Sequence, residues 1–231
     1  MAAFSPTANA TAIEGYWLKY TNEKTNSDKI IYAQKYDRDN SLLDNVIILV
    51  FDDEGKFILR VDAKLATVKD DTMTFDSSAR ITPIGMPSFD GSKTKLSISE
   101  EYILNNIRPI RKVTFFESLI NYYFGTESIH KYLFHPGYFI AIADDMYIYA
   151  EKTLEGGGYK NVIFMDNRDS DRKFINIASK ITFEEKKESS FLILEKGIVQ
   201  SHDKTLDEIF FLKYELNRVK LSSIAKGLTI K

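Results

Sequence analysis

Short runs of β-branched and aromatic residues, separated by clusters of turn-forming residues, extend along most of the chain. Apolar and polar positions alternate from Phe57 to Ala63 and again from Phe210 to Leu216. A period of two predicts antiparallel strands that have one face buried against a second sheet and one face in water. The run VIILVF, which begins at Val46, is apolar at every position and predicts a strand covered on both faces.

One phrase occurs twice in the chain. IYAQK begins at Ile31 and IYAEK begins at Ile148, and NVI follows each of them at nearly the same distance. GYWL and GKFI in the first half are echoed, in the same order, by GYFI and RKFI in the second half. A period this long is too great for a solenoid repeat, so it predicts the duplication of a whole β-module. We place the two modules at residues 1–125 and 126–231.

The segment between the two copies has a helical rather than an alternating pattern. Thr114 and Glu117 form a capping box, and Gly125 is a natural C-terminal stop. These signals predict a short helix over residues 115–124. The fold class that we expect is therefore mainly β, with two jellyroll or taco-like antiparallel sandwich domains joined by a short helical segment.

Composition narrows the possible functions. The chain has 231 residues and a formal charge of -2, so no basic domain favours nucleic acid as a partner. Cysteine is absent, which excludes disulfides, thiolate metal sites and cysteine nucleophiles. We find no apolar run long enough to span a bilayer and no secretory signal at the N-terminus, so we expect a soluble chain.

No motif in the chain predicts catalysis or metal binding. The histidines at 130, 135 and 202 have no metal-ligand spacing. DNRDSDR, which begins at Asp166, lacks the glycine and the closing glutamate of a calcium loop, and EGGG lacks the Lys-Ser/Thr of a phosphate loop. Carboxylates such as Asp52 and Asp53 are adjacent in sequence rather than paired across a cleft. We therefore expect no enzyme activity, no cofactor and no metal.

Several short motifs, taken in their order along the chain, resemble those of a known family. GYWLKY, KIIYAQKY and LLDNVIILVFDDEGKFILRVDAKLATV are similar to the periplasmic domain of LptG, a permease of the lipopolysaccharide exporter (YjgP/YjgQ family). LFHPGYF, MYIYAEK, YKNVIFMDNRDSDRKFINIASKITF and FLILEKGIVQ resemble the partner permease LptF. Together the two resemblances cover nearly the whole chain, and each motif on its own is degenerate.

This resemblance implies β-jellyroll domains at the periplasmic face of the inner membrane. They would accept lipopolysaccharide from the membrane and pass it along a bridge of similar jellyrolls, joined to an LptC-like partner through edge strands. ATP hydrolysis would belong to a separate subunit that is reached only through membrane helices, which this sequence does not contain. We therefore expect two excised domains joined near residues 125–131, or else a natural chain of that unusual organisation.

An apolar groove is the site that we expect on such a module. Its acyl-binding residues would come from the apolar strand faces, and strand-end cations such as Lys35 and Lys152 would meet head-group phosphates. Burial in a closed core is the alternative for each apolar residue. The predicted lining residues are Ile47, Leu49, Phe57, Leu59, Val61, Val162, Phe164, Phe174, Phe210 and Leu212.

Two other classes of function stay open at this stage. One is a β-sandwich that binds proteins through an edge strand and has no lipid site. The other is a carbohydrate-active enzyme, which would need two carboxylates that converge on one cleft. An open side on a sheet pair, with apolar side chains facing the gap, is the observation that best separates the lipid hypothesis from these two.

Overall fold

The computed structural model describes residues 15–22, 26–112, 134–143, 145–169, 172–186, 189–203 and 208–220. Within these ranges the chain forms two sheets and one short helix, so the prediction of a mainly β fold built from two antiparallel sheets is confirmed. The helix predicted over residues 115–124, the seam at 125–131 and the domain boundary at 125 all lie outside the described residues.

The first sheet comes from the first half of the chain. Its strand order is β7-β6-β4-β3-β2-β1-β9, and β5 and β8 extend it beside β4. Helix α1 follows β8 and begins at the N-cap Ser99, whose side chain accepts a hydrogen bond from the Tyr102 backbone N–H. The elements are β1 Tyr16–Asn22, β2 Ser27–Asp37, β3 Leu42–Phe51, β4 Phe57–Lys69, β5 Thr72–Phe75, β6 Arg80–Pro83, β7 Phe89–Asp90, β8 Lys95–Ser97, α1 Glu100–Asn106 and β9 Arg108–Pro109.

The second sheet follows chain order from β10 to β16. All of its pairs are antiparallel except that of β10 with β11, which is parallel. The described part of the chain contains no helix long and apolar enough to cross a bilayer. The strands are β10 Arg111–Lys112, β11 Phe139–Ala143, β12 Met146–Thr153, β13 Tyr159–Asp166, β14 Arg172–Lys186, β15 Ser189–Asp203 and β16 Glu208–Lys220.

The two sheets pack face to face and share one hydrophobic core. Trp17, Tyr32 and Leu49 enter this core from the first sheet, and Phe139 and Tyr149 enter it from the second. The rings of Trp17 and Phe139 lie 5.4 Å apart between centroids, and Tyr149 contacts both rings. We call this shared cluster the inter-sheet core. It joins the two modules through buried aromatic side chains, which contribute large apolar areas to packing.

Each sheet also has an apolar outer face. The outer face of the first sheet packs around Leu43, Ile48 and Met73 and is covered in part by Ile103 of α1. The outer face of the second sheet packs around Ile148, and Phe134 stacks there on Tyr159. The part of β3 that begins at Val46 is accordingly buried on both faces, as its uninterrupted apolar run predicts.

The repeated phrase lies on equivalent strand pairs, β2–β3 and β12–β13. Asn45 and Asn161, the first residues of the two NVI triplets, both have positive φ, at 49°. Asparagine tolerates this left-handed conformation better than most residues do. Each asparagine amide also donates to the variable position of the IYA-[QE]-K phrase, Gln34 in the first copy and Glu151 in the second. The repeat therefore preserves a backbone irregularity together with the side chain that stabilises it.

Trp17→Ala tests the shared core. Trp17 is 7% exposed, and its loss leaves a cavity between the sheets, so we expect unfolding to become easier by about 3 to 5 kcal/mol. Urea denaturation followed by circular dichroism measures this change. Because both sheets depend on the same core, they should still unfold in one transition.

Tyr138→Ala is the matched control, since Tyr138 is 56% exposed and adjoins Phe139, the partner of Trp17. We expect it to change the unfolding free energy by about 0.5 kcal/mol or less. Two separate transitions in wild-type chain, or equal effects of the two substitutions, would contradict a shared core.

Candidate functional site

The predicted groove residues of the first module do not share one surface. Ile47, Leu49 and Phe57 lie in the inter-sheet core. Leu59 and Val61 pack in the cluster on the opposite face of the sheet. The pairing of β3 with β4 shifts register between Val50 and Phe51. Phe57 therefore lies on the opposite face of the sheet from Leu59 and Val61.

The predicted residues of the second module do share one face. Phe174 pairs through Ser201 with Phe210, and in the adjacent row Phe164 pairs through Asn176 and Val199 with Leu212. Directly paired residues of antiparallel strands point to the same side. We call Phe164, Phe174, Val199, Phe210 and Leu212 the exposed strip. Val162, the other predicted residue of this module, is fully buried on the same outer face.

Solvent reaches much of the exposed strip. Phe174 is 39% exposed, Phe210 is 51% exposed and Leu212 is 65% exposed, whereas Phe164 and Val199 are half-buried. Three large exposed apolar side chains on one face, with only β15 between Phe174 and the other two, are more than the scattered single ones that ordinary surfaces carry. The alternating pattern of β16 identified Phe210 and Leu212 from sequence, while Val199 was missed because it lies in a strand with mixed polar neighbours.

One aromatic side chain borders the exposed strip and fixes the spacing of its strands. The Tyr214 ring of β16 lies over Gly197 of β15, where a β-carbon would collide with the ring, and its hydroxyl donates to Asn176 Oδ1 of β14. Burial raises the pKa of Tyr214 to about 12, against a smaller lowering by this hydrogen bond. A glycine at 197 is therefore needed for one side chain to span three strands.

Strand β16 forms an edge of the second sheet. Its only neighbour in the described part of the chain is β15, although it is 13 residues long. An edge strand of this length presents a row of backbone N–H and C=O groups to which another strand can add. The exposed strip and this edge lie next to each other, since both include Phe210 and Leu212.

A second feature, which sequence reasoning did not find, is a polar cleft of about 550 Å³ between the sheets. Asp62 and Arg80 line it from the first sheet, and Lys173 and His202 line it from the second. These side chains pair across strands in register, Asp62 with Arg80 and Lys173 with His202. Their residue types carry no motif, and only the packing of one sheet on the other brings them together.

An ion cluster also bridges the two sheets. Lys19 Nζ lies 2.7 Å from Asp28 Oδ2 and 2.9 Å from Glu151 Oε1. Burial alone would raise the pKa of each carboxyl group and lower that of the lysine. The hydrogen bonds and charge attraction within the cluster outweigh burial, so they hold both carboxyl pKa values below the ordinary range and the lysine pKa above it.

The predicted head-group cations, Lys35 and Lys152, are both exposed and occupy equivalent positions in the two copies of the repeat. No group of three or more His, Asp or Glu side chains within the described ranges could hold a metal ion. No family model matches the chain, and no curated protein matches it either. The fold and the site thus define a β-sandwich with an exposed apolar strip beside a strand edge that has no partner among the described strands.

Acid titration tests the ion cluster. Depressed carboxyl pKa values stabilise the fold above the unfolded-state values near 4, and this contribution is lost as pH falls through the folded-state values. We therefore expect the unfolding free energy to decrease between about pH 5 and pH 2. In Lys19→Met this decrease should be smaller, with a loss of about 1 to 2 kcal/mol at pH 7.

Lys152→Met is the matched control, because Lys152 is exposed and adjoins Glu151 in sequence. Urea denaturation at a series of pH values gives the slopes. Identical pH slopes for wild type and Lys19→Met would show that the cluster does not control acid stability.

Proposed function

We propose that this chain is the periplasmic part of a lipopolysaccharide export transporter, which accepts lipopolysaccharide at the inner membrane and passes it along a bridge of jellyroll domains. The exposed strip is the observation that carries the proposal. It offers exposed apolar side chains to an acyl chain on the outer face of the second sheet. The resemblance of the repeated motifs to LptG and LptF supports the same assignment.

The energetics of the exposed strip suit a transfer step. Each methylene that leaves water contributes about 0.8 kcal/mol, so a short length of acyl chain gains several kcal/mol on Phe174, Phe210 and Leu212. A strip that remains open to solvent on one side releases its ligand more readily than a closed cavity does. The proposal therefore assigns this surface a role in handing lipid on, without catalysis.

The free edge of β16 accounts for the next step of the proposed pathway. A jellyroll of an LptC-like partner adds its own edge strand to β16, which extends the second sheet and continues the exposed strip into the partner. ATP hydrolysis stays with a separate subunit connected through membrane helices. The partners in the proposal are thus lipopolysaccharide and a jellyroll protein, with no cofactor.

The proposal also holds that the chain has no enzyme activity. Asp62 and Asp145 line one cleft, which is the arrangement that a glycosidase would need. Asp62, however, is bonded to the guanidinium of Arg60, and Asp145 accepts a hydrogen bond from the Tyr147 hydroxyl at 3.4 Å. These contacts give both carboxylates structural partners.

A binding module without lipid is the second candidate function. The length of the β16 edge favours it, because β-augmentation requires only a strand edge and no apolar surface. The two candidates differ in whether the exposed strip binds acyl chains when no partner protein is present.

A titration with a fluorescent fatty acid decides between the two candidates. We expect saturable binding to the wild-type chain, and a loss of affinity of at least about tenfold in Phe210→Asp and in Phe174→Asp, because a carboxylate then occupies the apolar contact. Unlabelled lipopolysaccharide should compete with the probe. Both residues are exposed, so the substitutions should leave the fold intact.

Phe89→Asp is the matched control, since Phe89 is also 51% exposed but lies on β7 of the other sheet. It should bind the probe as the wild type does. Absence of saturable binding, or an equal loss in Phe89→Asp, would rule out the exposed strip as a lipid site and leave the binding module.

A further inference from the structure

The middle of β16 is exposed to solvent over several consecutive residues. Leu212 and Leu216 are each 65% exposed, more than any other large apolar side chain among the described residues. Lys213 and Glu215, which lie between them, are also exposed. Neither charge forms an ion pair with a described side chain. The centre of this strand therefore offers two leucines and two opposite charges to a partner.

The backbone of β16 is suited to strand addition along its whole length. It pairs with β15 over all 13 residues without a register shift, and none of its residues has positive φ. Its sequence contains neither proline nor glycine. Bulges, prolines and short length are the common devices that keep an edge strand from pairing, and β16 has none of the three. The side of the strand away from β15 thus presents a regular row of backbone donors and acceptors.

The other sheet ends offer no edge of matching length. In the described part of the chain they are β7, β8, β9 and β10, which have only two or three residues each. A head-to-tail contact of β16 with one of these ends would leave most of its edge unpaired. The edge of matching length is β16 of another copy. A contact between the same strand of two copies is isologous, so it closes as a dimer and does not extend into a fibre.

One antiparallel register of β16 with itself pairs the exposed side chains. A two-fold axis that passes beside Tyr214, perpendicular to the sheet, places each residue opposite the one equally far beyond Tyr214. Lys213 then lies opposite Glu215 of the second copy, and Leu212 lies opposite Leu216. The symmetry produces each pair twice. Opposite charges and large apolar residues that face each other directly stabilise an antiparallel pair.

The neighbouring registers of the same symmetry are less favourable. An axis beside Lys213 places that lysine opposite its own copy, and an axis beside Glu215 does the same to the glutamate, so like charges repel each other. Axes further along the strand shorten the paired length. The axis beside Tyr214 also bisects β16, so it uses the whole strand. The Tyr214 ring lies over Gly197 on the β15 side and leaves the axis clear.

We infer that β16 binds β16 of a second copy of this chain, in the antiparallel register centred on Tyr214. The contact forms about one backbone hydrogen bond for each residue of the strand and joins two seven-stranded sheets into one. A two-fold axis perpendicular to the sheet keeps the exposed strips of both copies on the same face. The proposed jellyroll partner uses the same edge, so it must displace the second copy. The inference itself depends neither on that partner nor on lipid binding.

Sedimentation equilibrium of the whole chain measures the association. We expect the mean mass to rise with concentration, between about 5 and 200 μM, toward twice the mass of one chain. A mass that remains that of one chain up to about 1 mM would overturn the inference. Growth beyond the dimer would overturn it as well, since an isologous contact closes.

Two charge reversals test the register. Lys213→Glu places two glutamates opposite each other, and Glu215→Lys places two lysines opposite each other. We expect each variant alone to weaken the dimer at least about tenfold, because two cross-strand pairs change sign in every dimer. An equimolar mixture of the two variants should recover the wild-type affinity, since each glutamate then faces a lysine. The chain that carries both reversals should recover it too.

Lys160→Glu is the matched control, because Lys160 is also exposed but lies on β13, three strands from the edge. It changes the net charge equally and should dimerise as the wild type does. Circular dichroism verifies that every variant is folded. If Lys213→Glu and Glu215→Lys dimerise like the wild type, or if their mixture stays monomeric, this register is wrong. Phe174→Asp should lose fatty-acid binding and keep the dimer, so the lipid proposal and this inference can fail separately.

Discussion

The contact between Trp17 and Phe139 is the interaction on which the rest of the structure depends. The two residues occupy equivalent places in the repeat, GYWL and GYFI, and they meet each other across the two sheets. Each sheet is apolar on both faces, so neither could leave its inner face in water. The sheet that carries the first copy of the repeated phrase therefore covers the sheet that carries the second.

This arrangement explains why polar and apolar sites are separated. The inter-sheet core is most apolar around β1, β2 and β11 to β13, where the aromatic rings of both copies meet. Toward β4, β6 and β15 the inner faces become polar, and the buried Arg60 and Gln200 face each other there. The apolar side chains of the exposed strip lie on the outer face instead.

Much of the fold could be predicted from residue patterns, because strand periodicity and turn chemistry are local. The antiparallel sheets and the doubly covered run at 46–51 both follow from such patterns. The division of Phe57 from Leu59 and Val61 could not, since it depends on a register shift between two strands. The burial of Arg60 could not be predicted from the sequence either. Its place in an alternating strand predicts a solvated face, and only the packing of the second sheet on the first turns that face inward. Of the ten predicted groove residues, Phe174, Phe210 and Leu212 are exposed. They could be identified from the alternation of apolar and polar residues within their own strands.

The crossing of the chain between the sheets has a mechanical consequence. β9 pairs with β1 of the first sheet, β10 pairs with β11 of the second, and only Ile110 separates them. Three residues span at most about 10 Å, which matches the distance between packed sheets. Ile110 is buried in the core, and its N–H donates to the Gly15 carbonyl at 2.9 Å. This short link therefore holds the two sheets together along β1 and β11. No comparable link joins them at the opposite side, formed by β6, β7 and β16, within the described residues. If the sheets separate to admit a bulky ligand, they separate first beside β6, β7 and β16, while β1 and β11 stay together.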